Sequence, residues 1–201
     1  VPDKKTTNPR HKRREDAVAA AARVFSERGY QGASTRHIAQ ELGIRQGSLY
    51  YYFNSKDKAL EEVCCIGIEE IVQAIEAIAA SEVPADEKIR LAIQQHLGYL
   101  DRGRHFMRTF LFSRHLLPEH RRGRVRLLSE QYEQLIESVF TSGVSTGVFR
   151  PDLDCWVATQ SFFALINVAA AGYKPSQQRS LKQLEQGFCQ QLLEGAMTRP
   201  C

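Results

Sequence analysis

Arg45, Gln46, Gly47 and Ser48 follow one another, and Tyr51 and Tyr52 stand about one helical turn further on. On a helix this set makes a polar face suited to nucleic acid. An Arg guanidinium can bond two acceptors of guanine in the major groove, and a Gln amide can do the same to adenine. A glycine lets the backbone approach closely, a Ser hydroxyl donates to a phosphate or a base, and the Tyr51 and Tyr52 phenols add hydroxyls on rigid rings. Thr35 and Arg36, upstream, are placed to hold a phosphate across the groove. Lys56, at the start of the next helix, adds a cation to free N–H groups that already favour anions. Phosphate contacts would position the chain, and contacts from 45–48 would specify sequence.

Other elements must hold that face in place. Leu49 and Phe53 are four apart and share the opposite face of the same short helix, predicted over 46–52. They are expected to pack on Phe25, Ile38 and Leu42. Ser34 is a good N-cap for a second helix carrying Ile38, Ala39 and Leu42, and Gly43 permits a tight turn between the two. A first helix, about 10–28, shows Ala17, Ala20, Ala21, Val24 and Phe25 on one stripe and stops at Gly29. Tyr50 reads as a residue packed between helices. Arg45 stands where an N-cap would, and its side chain cannot cap. The spacing is that of a helix-turn-helix, which sets a short helix into the major groove.

Charge agrees with that placement. Residues 1–58 hold 12 Lys and Arg against 6 Asp and Glu, whereas residues 59–201 hold 15 against 17. A polyanion is therefore expected at one end only. The arm Lys4, Lys5, Arg10, Lys12, Arg13 and Arg14 adds affinity that falls with salt, or else is a solvated tail.

The remainder reads as helical, with no period-2 run bounded by hairpin turns. Helices are expected over about 55–80, 85–100, 104–115, 123–142, 154–171 and 177–193, broken near Pro84, Pro118 and Pro175. The segment 141–154, with Gly143, Gly147 and Pro151, reads as turn-rich. No apolar run reaches the roughly 18 residues of a membrane span. No secretory leader is visible, and five cysteines without a paired pattern fit a reducing cytoplasm. No nucleophile triad, P-loop or metal-ligand spacing stands out, so an enzyme is not expected and neither cofactor nor metal is implied.

The first 60 or so residues resemble the DNA-binding domain of TetR-type transcriptional regulators. The resemblance rests on Val24-Phe25-Ser26-Glu27-Arg28-Gly29-Tyr30, on Ser34-Thr35 and Ile38-Ala39, and on Leu42-Gly43-Ile44 with Gly47-Ser48-Leu49-Tyr50, Tyr52-Phe53 and Ser55-Lys56. It implies an all-α chain with a helix-turn-helix domain over 1–56 and a helical bundle over 57–201 for ligand binding and dimerisation. It further implies a homodimer on a palindromic double-stranded DNA operator, a repressor released by a small-molecule effector. An activator, or a DNA-binding protein without a ligand, stays open.

In the second part, Phe162, Leu181, Leu184, Phe188 and Leu192 are candidates for the dimer interface; a purely intramolecular core is the other reading. The helix over 154–171 is apolar nearly all round. Phe106, Phe110, Tyr132, Phe163 and Asn167 are candidates for an effector pocket between helices, or else plain core. His96 reads as a helix-surface residue or one bonded locally. Arg121, Arg122, Arg124 and Arg126 read as a solvated, partly paired surface or a site for an anionic tail. The segments Gly147-Val148-Phe149-Arg150-Pro151-Asp152 and Asn167 with Tyr173-Lys174-Pro175 are similar to regulators of fatty-acid or steroid degradation that sense acyl-CoA thioesters. Those often have Trp where this chain has Val168 and Gly172, a change that would widen a cavity or select another ligand.

Overall fold

Two local signals fix the start of the fold. The Ser34 hydroxyl accepts the His37 amide at 3.2 Å, and Gly43 takes φ 71° and ψ 30°, the left-handed conformation that a Cβ disfavours. Behind Gly43, the Ile44 amide reaches back to the Ala39 carbonyl at 3.0 Å, closing the helix end. In the computed structural model, which describes residues 9–102, 104–172 and 180–196, these signals bound α2 at Thr35–Leu42. Before it lies α1 (Pro9–Gly32), interrupted at Gly29, where φ is 67°. After it come α3 (Gln46–Leu49) and α4 (Lys56–Ala79), the latter capped by the Ser55 hydroxyl on the Lys58 amide at 3.0 Å. Then follow α5 (Ala85–Arg102), α6 (Arg104–Ser113), a 3-10 turn (Arg114–Leu116), α7 (Glu119–Ser145), α8 (Cys155–Gly172) and α9 (Leu181–Ala196). Among the described residues there is no β-structure beyond an isolated bridge at Phe149. Lys4, Lys5, Tyr173, Lys174, Pro175 and Cys201 lie outside the described residues.

The chain divides into two compact units. The first is Val1–Gly67 with His105–Val125; the second is Ile68–Arg104 with Arg126–Cys201. The first is cored by Ala17, Ala20, Ala21, Val24 and Phe25 of α1, the stripe expected from spacing, with Ile38, Leu49, Phe53 and Leu60. Helix α6 belongs to it. The Thr109 hydroxyl donates to the Ala22 carbonyl at 3.3 Å, Arg108 Nε donates to the Ser26 carbonyl at 3.2 Å, and the Ser26 hydroxyl meets His105 Nδ1 at 2.6 Å. At Gly67 a Cβ would come within 3.0 Å of the Phe106 carbonyl oxygen, so glycine sets how near α4 and α6 approach.

In the second unit α5, α8 and α9 pack on one another. Gly143, expected in a turn, is instead a buried residue inside α7. A Cβ there would overlap the Phe149 ring and come within 2.8 Å of the Ala85 Cβ. This glycine therefore serves a close approach, and the turn falls at Gly147, with φ 75°.

Candidate nucleic-acid interface and effector domain

Helix α3 starts at Gln46 as expected, with no side-chain capping bond from Arg45, but is only four residues long: at its C-terminal end the Tyr51 and Tyr52 amides bond three residues back, to the Ser48 and Leu49 carbonyls, and the chain continues as a turn. Leu49 and Phe53 are each 1% exposed and anchor it from below. Arg45, Gln46, Gly47 and Ser48 are all exposed, and Tyr51 stands 93% exposed. The Gln46 amide nitrogen donates to the Thr35 hydroxyl at 3.1 Å, joining the starts of α2 and α3, with Arg36 exposed beside them. Tyr52 is half-buried, and its carbonyl accepts Arg14 Nη1 at 3.5 Å. Tyr50 departs from expectation: it is 56% exposed, not packed between helices. A Cβ on Gly47 would meet nothing within 4 Å, so the fold itself has no steric need for glycine there.

Lys56 is less free than the sequence suggests. Its ammonium donates to the carbonyls of Tyr30 at 3.0 Å and Ala33 at 3.2 Å, and sits 4.1 Å from the centroid of the Tyr30 ring. Two of its three N–H groups thus fasten the end of α1 to the start of α4, leaving one for a phosphate. The Tyr30 hydroxyl completes the fastening with a short bond to Asp57. Burial, aided by that carboxylate, pushes the phenol up to about 12. Of the distal basic cluster, Arg121 pairs with Glu61 at 2.9 Å, Arg122 with Glu119 at 3.2 Å and Arg126 with Glu130 at 3.8 Å.

The five pocket candidates do not gather in one unit. Phe106 and Phe110 belong to the first, where Arg114 lies 4.7 Å over the Phe110 ring; Tyr132, Phe163 and Asn167 belong to the second. There the Tyr132 ring meets Phe163 edge-on, centroids 4.8 Å apart, and Asn167 follows one turn later on α8, half-buried. His96 corrects the surface or local-bonding reading. It is 2% exposed, and its Nδ1 lies 3.2 Å from the Tyr132 hydroxyl, 36 residues away in sequence. Burial pushes its imidazole down to about 4, so it is neutral near pH 7. A signal for this existed: His96 continues the buried α5 stripe of Ile89, Ala92 and Ile93.

Phe162 also needs correction. It is wholly buried within its own chain, so it serves the core and offers no surface to a partner. Leu181, Leu184 and Phe188 are half-buried, and Leu192 is nearly buried beside a groove between α8 and α9. The outward side of α8 instead carries Val157, 49% exposed, Ala164 and Val168, 70% exposed. At that exposure Val168 widens no cavity inside its own chain. Cys64, Cys65 and Cys189 are buried and Cys155 is half-buried, and none of the four is in a disulfide. No helix among the described residues is long and apolar enough to cross a membrane.

Known proteins match both halves. The family model for bacterial regulatory proteins of the tetR family matches residues 17–63, which hold the helix-turn-helix. The model for the tetracyclin repressor-like C-terminal domain matches residues 82–196. The HTH-type transcriptional repressor KstR2 of Rhodococcus jostii (strain RHA1) is 24% identical over 190 residues, 94% of this chain and 93% of its own. The fold is shared with AibR, solved in complex with isovaleryl coenzyme A and operator DNA (TM-score 0.83, 21% identity, 90% of this chain and 98% of that one). It is shared too with the regulator FadR from Bacillus subtilis, solved with stearoyl-CoA (TM-score 0.77, 21% identity, 90% and 98%). With one model over the reading head and another over more than half of the chain, this protein belongs to the TetR family of bacterial transcriptional regulators.

Proposed function

We propose that the chain is a cytoplasmic repressor that binds a palindromic operator as a homodimer, and that an acyl-CoA thioester releases it. Residues 1–56 bind DNA, and residues 57–201 bind the effector and dimerise. The observation that carries the DNA reading is the solvent face of α3: Arg45, Gln46, Gly47 and Ser48 stand exposed together above a buried Leu49 and Phe53. Arg45 and Gln46 read base edges. Thr35, Arg36, Ser48, Tyr51, Tyr52 and the remaining N–H of Lys56 hold phosphates. The role is binding, not catalysis.

Dimerisation is supported by α8, where Val157, Ser161, Ala164 and Val168 recur at helical spacing on the outward side, and by α9, which packs on α8 and carries the half-buried Leu184 and Phe188. Two such helix pairs related by a two-fold axis make a four-helix interface. The effector class is supported by AibR and FadR, which were solved with CoA thioesters. Tyr132, Phe163 and Asn167 are its contacts in the second unit.

Selection of bound duplexes from a random library, at low ionic strength, tests the reading. It should enrich two half-sites in inverted repeat, and stearoyl-CoA or isovaleryl-CoA should lower affinity for the enriched duplex. A population that stays random overturns the operator. Leu184→Asp combined with Phe188→Asp should give monomers in sedimentation, and an intact dimer overturns the interface.

A further inference from the structure

The second unit holds a polar group that its own fold leaves unanswered. His96 Nε2 is buried and has no hydrogen-bond partner among the described residues. The same ring is held in place on its other side, where Nδ1 meets the Tyr132 hydroxyl at 3.2 Å and the two rings stack at 6.3 Å. Tyr132 is held in turn by the edge of Phe163.

Either tautomer leaves one donor unmet: the phenol O–H if Nδ1–H donates to the phenol oxygen, or Nε2–H if the phenol donates to Nδ1. A phenol is a stronger donor than a neutral imidazole N–H, and an imidazole nitrogen is a better acceptor than a phenol oxygen. The phenol therefore donates to Nδ1, and Nε2 carries the proton. Burial keeps the imidazole neutral and the Tyr132 phenol protonated. The result is one fixed, buried N–H beside the Tyr132–Phe163 ring pair, a setting that selects for an acceptor oxygen without charge. A carboxylate would have to lose its hydration there, and burying a bare charge costs far more than burying a carbonyl.

We infer that His96, oriented by Tyr132, is the specificity-determining donor for a carbonyl oxygen of the effector. On the effector class proposed above, on which this inference rests, that oxygen is the thioester carbonyl, with the acyl chain along Tyr132 and Phe163.

The test compares stearoyl-CoA with its thioether analogue, S-octadecyl-CoA, in which a methylene replaces the carbonyl. Both are titrated by calorimetry into the full chain. Wild type should bind the thioester about ten-fold more tightly than the thioether. His96→Phe should remove that preference by weakening the thioester alone. His96→Gln, whose amide N–H reaches a similar point, should restore much of it. A preference that survives in His96→Phe, or equal binding of both ligands by wild type, overturns the inference and leaves the effector class standing. If wild type binds neither ligand, the effector class fails first and the inference fails with it. The wild-type comparison needs no variant, so a misfolded substitution does not blunt it.

Discussion

Replacing Lys56 by Met separates two roles for one side chain. Methionine keeps the length and the apolar stem and removes all three N–H groups. In the structure it would lose the bonds to the Tyr30 and Ala33 carbonyls, at 3.0 and 3.2 Å, and the ring contact at 4.1 Å. Bonds to a charged donor contribute about 1.5–3 kcal/mol when buried. Lys56 is only half-buried and water can replace the ammonium at those carbonyls, so about 0.5–1 kcal/mol each is a fair figure. The cation–π contact adds about 0.5–1 kcal/mol. The sum is about 2 kcal/mol, or a fall in Tm of roughly 4–8 °C for a chain of this size. Melting should be followed by circular dichroism, beside titration of a fluorescent duplex across a salt series. A pure phosphate contact predicts the reverse pattern: an unchanged Tm and a salt slope shallower by about one. That pattern would refute the fastening role of Lys56.

Arg45→Ala should relax selectivity at one or two operator base pairs, by about 1–3 kcal/mol each, in competition against single-base variants; unaltered ranking of those variants would remove Arg45 from the base readers. Gly143→Ala should destabilise the chain by about 3 kcal/mol in urea unfolding, because the new methyl overlaps a Phe149 ring that is fully buried and has no room to yield. Stability should also depend on His96. Its ordinary value, 6.5, applies to the unfolded chain, and about 4 applies to the fold. The unfolded state therefore binds the extra proton between those values. The contribution is whole above pH 6.5 and is lost as pH falls towards 4, by about 3 kcal/mol at most. Urea midpoints at pH 7.5, 6 and 5 should fall less steeply in His96→Phe than in wild type, and equal slopes would contradict the assigned burial effect.

The reading head was legible because its signals are local. Ser34 caps, Gly43 turns, and the Leu49–Phe53 spacing turns one face of α3 inward. Tyr50 was misjudged because a helix of one turn is too short for periodicity to assign every face. Helix α8 posed the opposite difficulty. It is apolar on all sides, so nothing in its pattern says that Phe162 faces inward while Val157 and Val168 face out. Gly143 was ambiguous because glycine marks close approaches as well as turns. His96 was misread for a different reason: its partner, Tyr132, lies on another helix, and no local pattern announces that pairing.

The grouping of α6 with the reading head is a further non-local fact. Within the first unit α6 is tied to α1 through Thr109, Arg108 and the Ser26–His105 pair, and Gly67 lets α4 come against it. The residues offered to DNA therefore share one packed unit with α6. The chain passes between the two units at three places: inside α4 after Gly67, after Arg104, and inside α7 after Val125. Two of these passages fall inside single helices, α4 and α7, with no proline at either point, so no break in the sequence pattern marks where one unit ends and the other begins.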